Sequence, residues 1–256
     1  MSTLLRNNGF PRTYQMQFSP SALGGLPVGA WITELRFRLS ANAAAAFPST
    51  TVTWSDYQVT LAQAANSIPA MSATFAANMV SPVLVRHGPL SITANTFTTS
   101  PGLNPFSSLL VFDTPYVYQG GDLVVLFSHT GSDSSSLAYL DDVTSSTPGY
   151  GTDFRAFSAD AFNGTAGLQA SATIAQIVFT YSLRQTIFRD GANVIIVGTG
   201  GLPGGTYHVL TSTNMISPAA QWTPVATNLF DGAGSFRFTN AITATLPARY
   251  LRFAIP

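Results

Sequence analysis

The chain has 256 residues, of which 46% are hydrophobic and only 9% are charged, against about 25% charged residues in ordinary soluble domains. Its eleven basic residues are all arginine and balance eleven acidic residues, so the formal net charge is zero. The arginines are scattered rather than clustered, which argues against a nucleic-acid partner, and the absence of cysteine excludes disulfides and thiolate metal sites.

The N-terminal stretch MSTLLRNNGF lacks the basic and apolar segments of a signal peptide. Either the protein is cytoplasmic, or a leader has been removed from it. No apolar run reaches the length that a membrane-spanning helix needs, so we expect no membrane span.

Short runs further along the chain alternate apolar and polar residues, which is the period of β-strands. In WITELRFRLS, residues 31–40, the alternation places Trp31, Leu35 and Phe37 on one face, and we expect that face in the core. The runs TVTWSDYQVTL, GDLVVLFSH, ATIAQIVFTYSL and TYHVLTS alternate similarly, and clusters of glycine, proline, asparagine and serine separate them. No segment has a convincing helical period, so the sequence predicts an all-β fold.

The spacing of the strands changes near residues 184–192, RQTIFRDGA. Before this segment the strands are widely spaced, whereas about five short strands follow it. We therefore predict two β-sandwich domains. The first, residues 1–185, is expected to be jelly-roll-like, and the second, residues 190–256, to be similar to small immunoglobulin or fibronectin type III domains.

Two parts of the chain resemble modules of exported bacterial proteins. The segments GLPGGTYHVLTSTN, QWTPVATN, GSFRFTN and ARYLRFAIP resemble a small β module that ends many such proteins, and residues 202–256 match most of its pattern. The segments YQMQFSPSALGGLPVGAWITELRFRL, SATFAANM and LLVFDTPYVYQGGDLVVLF resemble modules that often carry PEP-CTERM sorting tails. The resemblance implies export, a removed leader and an extracellular or cell-surface location. It implies no active site, because neither family has an agreed catalytic motif. No PEP-CTERM tail follows Pro256, so we expect that this route of anchoring is absent or that the tail was removed.

Four aspartates form the best candidate metal site: Asp133, Asp141, Asp142 and Asp153. Carboxylate oxygens are the ligands that calcium prefers, so together they could hold a calcium ion. The alternative is that they are solvated loop acids. The adjacent Asp141 and Asp142 do not suit a glycosidase, whose two carboxyl groups face each other across the sugar.

Aromatic residues could form a platform on which a sugar ring stacks, although aromatic residues of a sandwich more often lie in the core. Tyr139 and Tyr150 lie in predicted loops and are the better stacking candidates. Asn163-Gly-Thr165 matches a short glycosylation motif, which is a weak signal on its own.

Histidines and a serine offer little support for catalysis or metal binding. His87, His129 and His208 are far apart in the sequence and lack the close spacing of zinc ligands. Ser128 and His129 with Asp133 suggest a triad, but adjacent strand residues point to opposite faces of a sheet. We interpret them as strand and loop residues.

Two glycine-containing segments are interpreted as turns. GTGGLPGG, residues 198–205, has proline within it and a strand after it, whereas a dinucleotide-binding loop leads into a helix. We interpret it as a wide hairpin. Asp231-Gly232 lies between two apolar runs, so we predict a second hairpin in which Asp231 caps its own turn.

The sequence favours a non-catalytic extracellular structural protein, which assembles with copies of itself into a surface layer, matrix or filament. Low and balanced charge weakens repulsion between copies, and uncharged polar loops are easier to desolvate than charged ones. The alternative is a carbohydrate-binding or adhesion module, with or without calcium, whose partner is a glycan. A secreted hydrolase ranks third, because no acid–base constellation is present. We expect no cofactor unless calcium is bound.

Overall fold

A computed structural model describes residues 4–5, 9–135, 138–180, 183–242 and 249–255, without the side chains of Ser108 and Ala219. The chain divides into two compact units, a larger unit at Met1–Thr180 and a smaller unit at Tyr181–Pro256. The described residues form strands, turns and only three short 3-10 helices, so the predicted all-β fold is confirmed. The longest of these helices has four residues, and no helix in the described ranges is long and apolar enough to cross a membrane.

The larger unit is built around two main antiparallel sheets. Its described strands are β1 (Arg12–Phe18), β2 (Trp31–Phe37), β3 (Val52–Trp54), β4 (Tyr57–Ala64), β5 (Met79–Arg86), β6 (Leu90–Ile92), β7 (Ser107–Val117), β8 (Leu123–His129), β9 (Asp142–Val143), β10 (Phe154–Ala159), β11 (Leu168–Ala170), β12 (Ala172–Thr173) and β13 (Ala175–Thr180). One main sheet has the order β11–β10–β1–β8–β4–β5 and the other β13–β2–β7. Strands β3 and β6 form a small pair, as do β9 and β12, and 3-10 helices Ile68–Ala70 and Phe75–Asn78 lie between β4 and β5.

The core of the larger unit contains side chains from both main sheets. Phe127 of β8 is fully buried, and its ring centroid lies 6.2 Å from that of Tyr14 in β1 and 6.2 Å from that of Phe37 in β2. The hydroxyl of Tyr14 donates to the carbonyl of Ser171 at 2.6 Å and accepts from the amide of Thr173 at 2.9 Å. Burial raises the pKa of Tyr14, so the core holds this phenol in its neutral form.

Strand β2 departs from its predicted alternation at its first residues. The prediction places Trp31 in the core, but Ile32 is fully buried and Trp31 is only half-buried. The register between β2 and β7 shifts between Ile32 and Glu34, and such a bulge reverses the alternation on one side of it. Beyond the bulge, Leu35 and Phe37 are buried as predicted.

The smaller unit has two three-stranded antiparallel sheets. Its described strands are β14 (Arg184–Asp190), β15 (Asn193–Thr199), β16 (Thr206–Ser212), β17 (Thr223–Leu229), β18 (Phe236–Ala241) and β19 (Tyr250–Ala254), and a 3-10 helix, Ala219–Gln221, precedes β17. The sheets have the orders β14–β15–β18 and β17–β16–β19. Residues 184–192, where the sequence predicts a domain boundary, form β14 and its turn into β15.

The core of the smaller unit is largely aromatic. The ring of Tyr207 lies 4.9, 5.3 and 5.1 Å from the rings of Phe230, Phe236 and Phe253, measured between centroids. Tyr207 lies in β16, Phe236 in β18 and Phe253 in β19, so both sheets contribute to this cluster. In β16, Tyr207 is buried and the neighbouring His208 is only partly so, as the predicted alternation requires.

Two turns that were predicted as hairpins instead connect the two sheets of the smaller unit. The GTGGLPGG segment leads from β15 to β16, and the Asp231 turn leads from β17 to β18, and in each case the two strands belong to different sheets. The sequence shows a strand, a turn and a strand, but it does not show which sheet each strand joins. The predicted cap is confirmed, since the Asp231 carboxylate accepts the amides of Ala233 at 2.9 Å and Ser235 at 2.7 Å.

These two turns contact each other through glycine. The amide of Gly201 donates to the carbonyl of Gly234 at 2.9 Å, and the amide of Gly204 donates to that of Phe230 at 3.1 Å. A Cβ atom added to Gly201 would lie 2.3 Å from the ring of Phe230. Glycine is therefore needed at Gly201 because another part of the chain approaches closely, and this explains the glycine-rich segment without a nucleotide.

Candidate functional site

A cleft of about 680 Å³ opens in the larger unit between residues 39–49 and 138–142. This volume lies within the range of about 300–1,000 Å³ that is typical of small-ligand pockets. The two segments that line the cleft are joined by a hydrogen bond, in which the amide of Ser40 donates to the carbonyl of Tyr139 at 2.9 Å. The guanidinium of Arg38 forms an ion pair with Asp141 at 2.7 Å, so the two segments hold each other in place.

The lining of the cleft combines small apolar side chains with a few polar groups. Alanines at 43–46 leave the cleft open, and Tyr139, which is 46% exposed, supplies an aromatic ring. Ser40, Asn42 and Asp142 supply hydroxyl, amide and carboxylate groups that can bond to sugar hydroxyls. The described lining contains one carboxylate and no histidine, so it offers binding chemistry rather than a paired acid and base.

The structure does not bring the four predicted calcium ligands together. Asp133 accepts the amide of Thr53 at 2.8 Å, and Asp153 accepts the hydroxyl of Ser21 at 3.0 Å. Asp141 is paired with an arginine as described above, and only Asp142 lines the cleft. Within the described ranges, no three histidine, aspartate or glutamate side chains are grouped to hold a metal ion, so calcium stays a prediction.

The two predicted stacking tyrosines lie in different environments. Tyr139 is exposed in the cleft, whereas Tyr150 is half-buried with its ring 5.9 Å from that of Phe154. The hydroxyl of Tyr150 donates to the carbonyl of Ala170 at 2.6 Å, and burial raises its pKa. Tyr150 therefore packs against Phe154 within the unit and is less accessible to a ligand than Tyr139.

The three histidines have separate structural environments. His87 lies 3.4 Å from the carboxylate of Asp113 near the surface. His129 is fully buried, and its ring stacks on that of Tyr57 at 5.1 Å. His208 belongs to the smaller unit. No metal site among the described residues includes any of them.

Ser128 and His129 do not form a relay in the structure. The hydroxyl of Ser128 accepts the amide of Asn163 at 2.7 Å, on a different strand face from the stacked imidazole of His129. Asp133 is engaged with a backbone amide, as described above. Asn163, in the glycosylation motif, is exposed.

Strand β14, at the edge of the smaller unit, is the second candidate for a functional surface. All seven of its residues are exposed, including Ile187 at 65% and Phe188 at 43%. Among the described residues, β14 pairs with β15 alone, and its register runs without a shift from Arg184 to Asp190. From the sequence this segment was predicted to be a domain boundary and not a surface, although the adjacent Ile187 and Phe188 were a signal for one.

No model of a known protein family matches the chain, and no curated protein matches its sequence. The cleft and β14 are therefore the structural features from which a function can be proposed.

Proposed function

We propose that the protein is a non-catalytic, extracellular structural subunit that assembles with copies of itself into a surface layer, matrix or filament. The observation that supports assembly is β14, an edge strand without a register shift whose seven residues are all exposed. Such an edge presents unpaired N–H and C=O groups to a strand of another molecule. The extracellular location rests on the resemblance of residues 202–256 to a module of exported proteins.

Edge strand β5 of the larger unit lacks these properties. Pro82 interrupts β5 and has no amide hydrogen to donate. Ser81 adopts a positive φ of 48°, and the register between β5 and β4 shifts twice. Proline and bulges are devices by which proteins protect exposed edges from pairing. Strand β14 carries neither device, which distinguishes it from β5.

Apolar side chains on β14 add to the backbone groups. Ile187 and Phe188 are adjacent, so they project from opposite faces of the sheet. A strand of a second copy that pairs with β14 would place its own side chains beside both of them, and burial of apolar surface contributes about 25 cal/mol per Å². Two copies of β14 pairing with each other would give a symmetric dimer, whereas pairing with a different strand would give a closed ring or an open polymer.

Electron microscopy and sedimentation velocity of the purified full chain test this proposal. We expect ordered polymers of the unaltered protein, and Ile187→Arg should abolish them by burying a charge at the contact. Ile216→Arg is the matched control, because Ile216 is 87% exposed in the loop between β16 and β17. Monomers of the unaltered protein at every concentration, or equal effects of the two variants, would contradict the proposal.

We also propose that each unit is a β-sandwich, the larger one jelly-roll-like and the smaller one similar to immunoglobulin or fibronectin type III domains. In each unit, side chains from two antiparallel sheets share one aromatic-rich core. An experimental structure with the two sheets packed edge to edge, rather than face to face, would refute this assignment.

The cleft favours a second candidate function, binding of a glycan in adhesion. Its support is the exposed ring of Tyr139 beside hydroxyl, amide and carboxylate groups in a volume that suits one or two sugar rings. Calcium could assist only through Asp142 and the ligand, since no other predicted ligand lines the cleft.

A glycan array followed by calorimetry on any hit, with and without calcium, tests this candidate. Tyr139→Ala should weaken binding at least tenfold through loss of stacking. Tyr250→Ala is the matched control, because Tyr250 is similarly exposed, at 38%, in the smaller unit. Absence of any glycan hit, or equal affinity of both variants, would remove glycan binding from consideration.

A further inference from the structure

We propose that the larger unit binds a small, uncharged apolar molecule in a cavity between its two main sheets. The cavity has a volume of about 250 Å³ and shares no lining residue with the cleft described above. Its eleven described lining residues are ten apolar side chains and one glycine. This site does not depend on assembly or on glycan binding.

The floor of the cavity is formed by the core. Met16 of β1, Leu35 of β2 and Val125 of β8 line it and are at most 2% exposed. Ile177 and Phe179 of β13 are half-buried and form one side of the opening. The cavity therefore reaches from the surface to the interface between the sheet that contains β1 and the sheet that contains β2.

The segment that joins β1 to β2 covers the cavity. Ala22, Leu23 and Leu26 of this segment belong to the lining. The segment is held at its beginning, where the amide of Ser19 donates to the carbonyl of Asp153 at 2.8 Å. The hydroxyl of Ser21 also donates to the carboxylate of Asp153, at 3.0 Å, so the cover is tied to the rest of the unit beside the cavity.

The size and lining of the cavity define the ligand. Protein interiors rarely leave voids larger than a water molecule, and an apolar cavity of about 150 Å³ stays dry and binds benzene. A cavity of 250 Å³ accommodates one aromatic ring with a short alkyl chain, or an alkyl chain of similar volume. Because no polar side chain lines it, a hydrogen-bonding group of the ligand would find only backbone partners there.

Charge near the cover narrows the ligand class further. The Asp153 carboxylate lies one hydrogen bond from Ser21, the residue before the lining residue Ala22. It would repel an acidic head group at the opening. We therefore expect a neutral amphiphile to bind more tightly than the carboxylate with the same chain.

Titration of the full chain with propylbenzene, octan-1-ol and octanoate tests the proposal. With methionine methyl groups labelled with ¹³C, the signal of Met16 should shift saturably with propylbenzene and octan-1-ol, and the melting temperature should rise. Octanoate should bind at least tenfold more weakly than octan-1-ol. A Met16 signal that stays unchanged up to the solubility limit of both neutral probes would overturn the proposal.

Two variants of β13 locate the site. Ala175→Leu fills the cavity and should weaken octan-1-ol binding at least tenfold. Gln176→Leu introduces the same leucine side chain on the exposed side of the same strand and should leave binding unchanged. If Ala175→Leu does not fold, Ala22→Leu in the exposed cover replaces it with the same expectation. Equal affinities of the filling and control variants would show that the probe binds elsewhere and refute the assignment.

Discussion

The larger and smaller units build their cores from strands in different ways. The larger unit buries polar groups that have internal partners. An example is Gln15, whose side-chain carbonyl accepts a hydrogen bond from the side-chain amide of Asn78 at 2.7 Å. The smaller unit has a small cluster of aromatic rings packed against turns that glycine brings close together. The larger core should therefore respond most to lost rings and lost hydrogen bonds, and the smaller core to added volume.

The units also differ in charge, which the neutral total conceals. Residues 1–180 contain six arginines and nine acidic residues, a formal charge of −3, and residues 181–256 contain five arginines and two aspartates, a formal charge of +3. The weak repulsion expected from a neutral chain therefore holds for the whole molecule and not for either unit. Contacts between unlike units of different copies would weaken as salt is added.

The largest expected effect is the loss of a central ring from the larger unit. Phe127→Ala should lower the free energy of unfolding by about 3–5 kcal/mol, because it leaves a cavity among fully buried side chains. Urea unfolding followed by near-ultraviolet circular dichroism measures the change. Val111→Ala, at a residue that is 60% exposed, should change it by less than about 0.5 kcal/mol. Similar values for the two variants would mean that Phe127 is not central to the core.

In the smaller unit, added volume should destabilise the fold where the GTGGLPGG turn and the Asp231 turn contact each other. Gly201→Ala should lower its stability by about 1–3 kcal/mol, because the new methyl group overlaps the Phe230 ring. Gly232→Ala is the control, since a Cβ atom there meets nothing within 4 Å, and we expect no loss. Thermal unfolding of both variants compares them, and a harmless Gly201→Ala would show that the turns do not pack as described.

Removal of one hydroxyl tests the hydrogen bonds of the larger core. Tyr14→Phe should lower the free energy of unfolding by about 1–3 kcal/mol, because Ser171 and Thr173 each lose a partner in the interior. Tyr139→Phe, at the exposed ring of the cleft, serves as the control and should have little effect. Chemical unfolding at pH 7 measures both, and equal stabilities of the two variants would contradict this account of the core.

The same variant should alter the dependence of stability on pH. The pKa of Tyr14 is raised by burial in the folded protein, whereas in the unfolded chain it stays near 10. The stability that neutral Tyr14 contributes is thus fully present below pH 10 and is lost as the pH rises above 10, where only the unfolded chain releases the proton. In Tyr14→Phe the slope above pH 10 should be shallower by about 1.4 kcal/mol per pH unit. An unchanged slope in unfolding measured from pH 9 to 11 would argue against a buried Tyr14.

The smallest expected effect concerns an ion pair of the larger unit between a buried arginine and an exposed aspartate. Arg12 lies 2.9 Å from Asp160, whose side chain is 71% exposed, and Arg12 also donates to Ser158 at 2.9 Å. Asp160→Asn should therefore lower the free energy of unfolding by less than about 1 kcal/mol, and by less still at high salt. A larger loss would show that this unit depends on surface charge as well as on its core.

Alternation along single strands was the part of the fold that could be predicted from sequence. It placed Tyr207 and His208 on the correct faces, and it failed at Trp31 because a bulge depends on the neighbouring strand. Relationships between distant segments were not predictable for the same reason. Tyr150 was selected as a stacking candidate, and the sequence did not show that its hydroxyl bonds to Ala170, twenty residues away along the chain.

The candidate site was partly predictable at the level of residue type. Tyr139 and Asp142 were both selected from the sequence, for stacking and for metal binding, and both line the cleft. The alanines at 43–46 gave no signal for the cleft, since nothing local shows that they face the segment at 138–142. Side-chain chemistry was therefore visible in the sequence, whereas the partners of each segment were not.

The contact between the GTGGLPGG turn and the Asp231 turn restricts where foreign sequence can be inserted into the smaller unit. Extra residues near Gly201 or Gly234 would separate backbone groups that bond directly to each other. The loop around Met215 and Ile216 has highly exposed side chains, at 64% and 87%, and exposed loop tips are the usual positions that accept insertions. An epitope or affinity tag placed between these two residues should be displayed outward while the unit keeps its fold.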